Sequence, residues 1–172
     1  MPRRAARRWI WSEVIHDVVR DEAAAFREAE ARLHVDLPAT LPMVWGSAPL
    51  LTQALARIVA NARQSVSEGS HSRQVWLTAE AGGGTVRVTV RDDGAGVPRD
   101  ARDHLFEPFF TTHRSPDRMG LGLAVAHGIV EVHGGSLYLD VGDTLHTTFV
   151  IELPITVGGE SLTGGAGAIT PI

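Results

Sequence analysis

The alternation of apolar and polar positions divides the chain into a clear series of elements. From Trp11 to Leu33, Val14, Ile15, Val18, Val19, Ala25 and Phe26 recur at mixed spacings of three and four, which predicts an amphipathic helix with Ser12 as its N-cap. Val35–Leu37 and Met43–Trp45 read as two short strands, with Pro38 and Pro42 punctuating the link. A second helix begins near Ala48-Pro49, with Ser47 as its cap. Leu51, Leu55, Ile58, Val59, Ala62 and Val66 form its apolar face, and Gly69 ends it.

Strict alternation follows. Val75, Leu77 and Ala79, then Val86, Val88 and Val90 after three glycines, predict a hairpin with one buried face. Leu121 to His133 reads as a third helix closed by Gly134-Gly135. Leu137–Leu139 and Thr147–Ile151 read as a last hairpin ending at Leu153-Pro154. Residues 98–119 carry little periodicity beyond a short turn around Arg99–Leu105, and so long a connection reads as a lid or binding loop. Phe106, Phe109 and Phe110 are expected to pin its N-terminal end against the domain. The tail, residues 156–172, is rich in Gly, Thr and Ala and is expected to be disordered.

Composition narrows the picture. The 172 residues fit one domain, able to bury roughly 70% of its unfolded surface. A net charge of −4 gives no support to bulk nucleic-acid binding, and all 16 basic residues are Arg. Arg3, Arg4, Arg7 and Arg8 cluster at the start, so residues 1–10 read as a basic, solvated linker, with a membrane or nucleic-acid tail as the alternative. The absence of cysteine excludes thiol catalysis, disulfides and Cys-ligated metal. No apolar run approaches about 18 residues, and no signal-peptide pattern is visible.

The candidate chemistry lies between Asp92 and Gly122. Two glycine-rich turns, Asp92-Asp-Gly94-Ala-Gly96 and Gly120-Leu121-Gly122-Leu123, flank the aromatic and hydroxyl-rich loop. Glycine lets backbone approach a flat base or a phosphate closely. Asp92 can accept a hydrogen bond from an exocyclic amine, although Asp-Asp-Gly alone is equally a plain turn. The second turn runs straight into a helix, whose amides and dipole favour an anion. His113, Arg114 and Arg118 offer positive groups where phosphates would lie, or else decorate a solvated loop. Arg57, Asn61 and Gln64 share one flank of the second helix. Asn61 there is either a ligand residue or an ordinary exposed polar one.

Together these motifs resemble the catalytic, ATP-binding domain of sensor histidine kinases, in the superfamily shared with gyrase, Hsp90 and MutL. The resemblance runs from about Trp11 to Pro154. Gln53 to Gln64 resembles the N box, Asp92 to Gly96 the first glycine box, Phe106 to Thr112 the F box, and Gly120 to Leu123 the second glycine box. The wording Asn61-Ala-x-Gln64 and Glu107-Pro-Phe-Phe110-Thr111-Thr112 is similar to the nitrogen-regulation type. The resemblance implies a Bergerat-type α/β two-layer sandwich over residues 11–155, with a mixed sheet of about five strands under three helices. It implies that Asp92 accepts from the adenine amino group, assisted by Thr147, while Gly94 and Gly96 pass beside the base. It implies that Asn61 ligates Mg²⁺, that Gly120, Gly122 and their neighbours hold the phosphates of ATP, and that His113 or Arg114 reaches the γ-phosphate.

The acceptor histidine would stand on a separate dimerisation domain, which this chain lacks, and a response regulator would follow. A monomeric, cytoplasmic catalytic part of a membrane-anchored parent is the expectation. His16-Asp17 with Arg20 faintly resembles the phosphoacceptor box, against the reading of a surface histidine on a helix. Three departures stand out. Arg57 occupies the place of the water-activating glutamate of gyrase-like ATPases, which argues against hydrolysis. Arg118 replaces a glycine, and His113 replaces a lysine. The alternatives are a degenerate nucleotide-binding module and a protein-serine kinase of the anti-sigma-factor type.

Overall fold

The computed structural model describes residues 7–69, 72–111, 120–142 and 146–155. Five strands form one sheet in the order β2 (Arg32–Asp36), β4 (Gln74–Gly82), β5 (Thr85–Asp92), β7 (Thr147–Pro154), β6 (Ser136–Asp140). Only β2 and β4 are parallel; the other neighbours are antiparallel. Three helices, α1 (Trp11–Glu28), α2 (Ala48–Gly69) and α3 (Gly122–Val132), pack over the sheet, with α2 central and touching both others. The expected mixed sheet of five strands under three helices is therefore present.

The period-two pattern explains the layering. Val75, Leu77, Val86, Val88, Val90, Phe149, Ile151 and Leu153 are at most 1% exposed and face α2 residues Leu51, Leu55, Ile58 and Val66. The β4–β5 turn is a two-residue loop, Gly83-Gly84, with φ of 60° and 84°. Both positions demand positive φ, and glycine supplies it without a steric penalty.

The structure corrects three expectations. Residues 1–10 were expected to be linker, but Arg7–Ile10 forms strand β1, paired antiparallel with β3 (Met43–Gly46). The first helix stops at Glu28 rather than Leu33. Glu30 turns left-handed at φ 51°, Ala31 N–H bonds back to Phe26 O, and Arg32–Asp36 is claimed by parallel pairing with β4. Phe109 does not pin the loop: it is 73% exposed, and its φ is 69°. Phe106 does pin it, stacking on His127 at 4.8 Å and meeting Phe149 edge-on at 6.3 Å. The expected turn after Pro98 is a 3₁₀ helix, Arg99–His104. His16 is exposed on α1 beside the Asp17–Arg20 ion pair, which is the surface-histidine arrangement. The expected tail, 156–172, lies outside the described residues.

One imidazole joins the two helices that frame the site. Ser47 N–H donates to His133 Nε2 at 3.0 Å, so Nε2 must be the unprotonated nitrogen. Nδ1 then carries the hydrogen and donates to Ile129 O at 2.6 Å. A Cβ on Gly46 would sit 2.2 Å from the same ring, so only glycine fits beneath it. His133 thereby ties the start of α2 to the end of α3.

Candidate nucleotide site

A cavity of about 600 Å³ lies between α2, the β5 exit, the start of α3 and β7. Arg57, Asn61, Gln64, Ser65 and Glu68 line it from α2. Their spacings of four, three, one and three place them along one stripe of the helix. Gly96 and Val97 line it from the loop after β5, and Pro98, Leu105, Phe110 and Thr111 from the expected lid. Gly120, Leu121, Gly122 and Leu123 line it from the start of α3, and Thr147 and Phe149 form part of its floor.

Asp92 is the last residue of β5 and is fully buried. It sits behind the cavity wall, directly across the ladder from Thr147. Ser65 Oγ donates to Asp92 Oδ1 at 2.9 Å, and Gly94 N–H donates to the same oxygen at 3.0 Å. Oδ2 is buried and has no hydrogen-bond partner among the described residues, and neither has Thr147 Oγ1. Burial pushes the Asp92 carboxyl up to about 6, against the pull of Ser65, the Gly94 N–H and, more weakly, the facing Thr147 hydroxyl. An acceptor and a hydroxyl thus face each other across the ladder beside a cavity, with no partner but one another among the described residues. A group left this way costs free energy unless a ligand completes it.

The neighbouring Asp93 does a different job. Its Oδ1 accepts from Gln74 N–H at 2.9 Å, its own N–H donates to Gln74 O, and Ser72 Oγ bonds its Oδ2. It fastens the strand end and points away from the site.

The glycines divide by function. A Cβ on Gly94 would meet Ser65 Oγ at 2.0 Å and Asp92 Oδ1 at 2.8 Å. Gly94 therefore lets the turn press against α2. Gly69 is matched to Ala95 in the same way, at 2.6 Å. Gly96 has φ 79° with open space where a Cβ would stand. At the other end, Gly120 has φ 62°, its carbonyl accepts from Phe109 N–H at 3.1 Å, and a Cβ would strike the Phe109–Phe110 backbone at 2.6 Å. Gly122 would place a Cβ in open space. The N-cap of α3 is Leu121, which makes no side-chain cap. The first-turn amides of α3 therefore stand at the cavity edge without a capping side chain.

Eleven of the residues singled out in the sequence thus line one cavity: Arg57, Asn61, Gln64, Gly96, Phe110, Thr111, Gly120, Leu121, Gly122, Leu123 and Thr147. Asp92 and Gly94 lie immediately behind its wall. Thr112, His113 and Arg114 lie outside the described residues, as does Arg118. Ser65 escaped notice, although its position four residues after Asn61 puts it on the same stripe. Asn61 makes no hydrogen bond among the described residues. No group of three or more His, Asp or Glu side chains that could hold a metal exists among them either.

Comparison with known proteins agrees with this geometry. Residues 46–157 match the family model for the histidine kinase-, DNA gyrase B- and HSP90-like ATPases. The chain is 36% identical over 128 residues to the sensor histidine kinase ZraS of Escherichia coli K12, covering 74% of this chain and 26% of that protein. It is 31% identical to the C4-dicarboxylate transport sensor protein DctB of Pseudomonas aeruginosa, covering 84% of this chain and 23% of the other. The chain thus spans about a quarter of the length of these relatives. Full-length ShkA, solved in complex with AMPPNP, superposes with a TM-score of 0.76 at 26% identity, over 92% of this chain and 33% of that one. The catalytic domain of histidine kinase ThkA shares the fold at a TM-score of 0.75 and 24% identity, over 88% and 96% of the two chains. ThkA has also been solved with the response regulator protein TrrA. The chain belongs to the histidine kinase-, DNA gyrase B- and HSP90-like ATPase family, and within it is similar to the ATP-binding catalytic domains of sensor histidine kinases.

Proposed function

We propose that the domain binds Mg²⁺-ATP in this cavity and donates the γ-phosphate to a histidine on a dimerisation domain of its parent protein. The observation that carries the reading is the facing pair of buried polar atoms, Asp92 Oδ2 and Thr147 Oγ1, at one end of a cavity whose other end is the uncapped start of α3. An adenine amino group donates to Asp92 Oδ2, and Thr147 completes the base edge. Ser65 and Gly94 hold Oδ1, so the carboxylate cannot rotate away. The first-turn amides of α3 receive phosphate oxygens.

The donor set fits Mg²⁺. Asn61 offers one oxygen, and a hard cation with few protein ligands keeps water and phosphate oxygens as the rest. When bound, the ion neutralises charge on the phosphates. The protein's own part is alignment: His133 fixes α3 against α2, and so fixes the phosphate end against Asn61.

The kinship with ThkA, solved with a response regulator, supports a response regulator as the onward partner. The wording of Asn61–Gln64 and Glu107–Thr112 supports the nitrogen-regulation type. Residues 11–155 form the functional unit in this reading, monomeric by itself. Residues 98–119 act as its lid, and His113 or Arg114 serves the γ-phosphate. Phosphotransfer from γ-labelled ATP to an added dimerisation and phosphoacceptor domain tests the proposal. An acid-labile, base-stable phosphoryl product is expected. Nucleotide binding without transfer to any acceptor histidine would contradict the kinase reading.

A further inference from the structure

We propose that Arg57 is a built-in cationic contact for the terminal phosphate, so that the site holds a triphosphate through protein charge as well as through a divalent ion. The inference rests on the nucleotide reading of the cavity and adds to it a residue that sets the preference among nucleotides.

Arg57 lines the cavity from α2, one turn before Asn61. It makes no ion pair or hydrogen bond among the described residues. Several other arginines are paired with acids, Arg20 with Asp17 and Asp21, Arg63 with Glu22, Arg87 with Glu80 and Glu152, whereas Arg57 is the arginine that lines the cavity. The acid on the same stripe, Glu68, lies eleven residues along the helix, a rise of about 16 Å, too far to neutralise it. An unpaired guanidinium at the edge of a cavity favours an anion there.

The helix register places that anion. His133 anchors the end of α3 beside Ser47 at the start of α2. From that anchor α3 runs back along α2 for 11 residues, about 16 Å. The same rise counted from Ser47 reaches the level of Ile58. The uncapped amides at Gly122 therefore stand across the cavity from Arg57 and Asn61. Asp92 and Ser65 stand farther along the stripe, at the base end. A nucleotide with its base at Asp92 extends its phosphates toward Gly122, and the last of them comes within reach of Arg57. Guanidinium matches phosphate oxygens with paired donors and stays charged at every working pH. It offers an ammonium-free alternative to the positive charge that Mg²⁺ brings to the same oxygens.

The test is calorimetric titration of wild type, Arg57→Ala and Arg57→Lys with ATP and with ADP, each with excess Mg²⁺ and with EDTA. Arg57 is exposed, and thermal melts confirm that the variants stay folded. In EDTA, Arg57→Ala is expected to weaken ATP about tenfold while changing ADP less than about threefold, with Arg57→Lys recovering part of the loss. With Mg²⁺ the ATP deficit shrinks. Unchanged ATP affinity in EDTA, or equal loss for ADP and ATP, would overturn the assignment while leaving the nucleotide site intact. A wild type that binds neither nucleotide would overturn the site itself, and Arg57 with it.

Discussion

The two ends of the cavity are built by different means. The end proposed to take the base is made of side chains locked into regular structure. Asp92 and Thr147 face each other across a strand ladder, Ser65 reaches down from α2, and Gly94 is wedged against Ser65. The end proposed to take the phosphates is made of backbone: a positive-φ glycine, the Phe109–Gly120 hydrogen bond and the first amides of a helix without a capping side chain. A base is recognised by a few directed hydrogen bonds, so atoms must be fixed and dry. A phosphate presents several equivalent oxygens, so a helix terminus serves. The base end should therefore be unforgiving of any substitution, whereas the phosphate end should yield gradual losses.

The largest effect is expected at Asp92, and it has two opposite signs. Its carboxyl is held near 6, above the ordinary 3.8, because burial disfavours the charge. Below about pH 4 the group is protonated both folded and unfolded and has no cost. Between about 4 and 6 that advantage is lost, and at pH 7 the buried charge costs on the order of 3 kcal/mol. Asp92→Asn keeps an oxygen for Ser65 and Gly94 and removes the charge. At pH 7 it should melt higher than wild type, with the gap closing toward pH 4, while ATP affinity falls by about a hundredfold or more. Parallel melts at pH 7 and pH 4.5 check the stability half. A variant less stable than wild type at pH 7 would break the account of the base end.

Gly94→Ala is next. Its Cβ would collide with Ser65 Oγ and the α2 backbone, so the turn must move away from Asp92. We expect a loss of about 2 kcal/mol in urea denaturation together with weakened nucleotide binding. His133→Ala should cost a similar amount, roughly 2 kcal/mol, because it strips Ser47 N–H and Ile129 O of their partner. Its signature is a loss of phosphate-dependent affinity larger than the loss for the base alone, seen by comparing ATP with adenosine. The smallest effect belongs to Gly122→Ala. The protein leaves room for that methyl, so folding should be unchanged or improved by a few tenths of a kcal/mol. ATP should weaken by a few-fold and adenosine not at all. Equal weakening of both would erase the distinction between the two ends.

Much of this was legible in the chain because the core obeys simple periods. The alternating valines of β4 and β5 could serve only a sheet with one buried face, and the stripe from Leu51 to Val66 only a packed helix. The glycine turns pointed to the cavity because, taken together with Asn61–Gln64 and the aromatic loop, they lie around it in the structure. What escaped was non-local. Arg7–Ile10 reads as a basic linker, since its strand character comes from pairing with β3, some 36 residues away. The end of α1 is set by parallel pairing of β2 with β4, which no local pattern encodes. That Gly94 also packs against Ser65 is invisible in the sequence. Ser65 itself looks like any helix serine until Asp92 is placed beneath it.

The most direct measurement is a calorimetric titration of ATP, with Mg²⁺, into wild type and Asp92→Asn side by side at pH 7.5. The account predicts one site per chain in wild type and no measurable binding in a variant that is folded and melts higher. Equal affinity in both proteins would contradict it, because the buried carboxylate opposite Thr147 would then not be the group that reads the base.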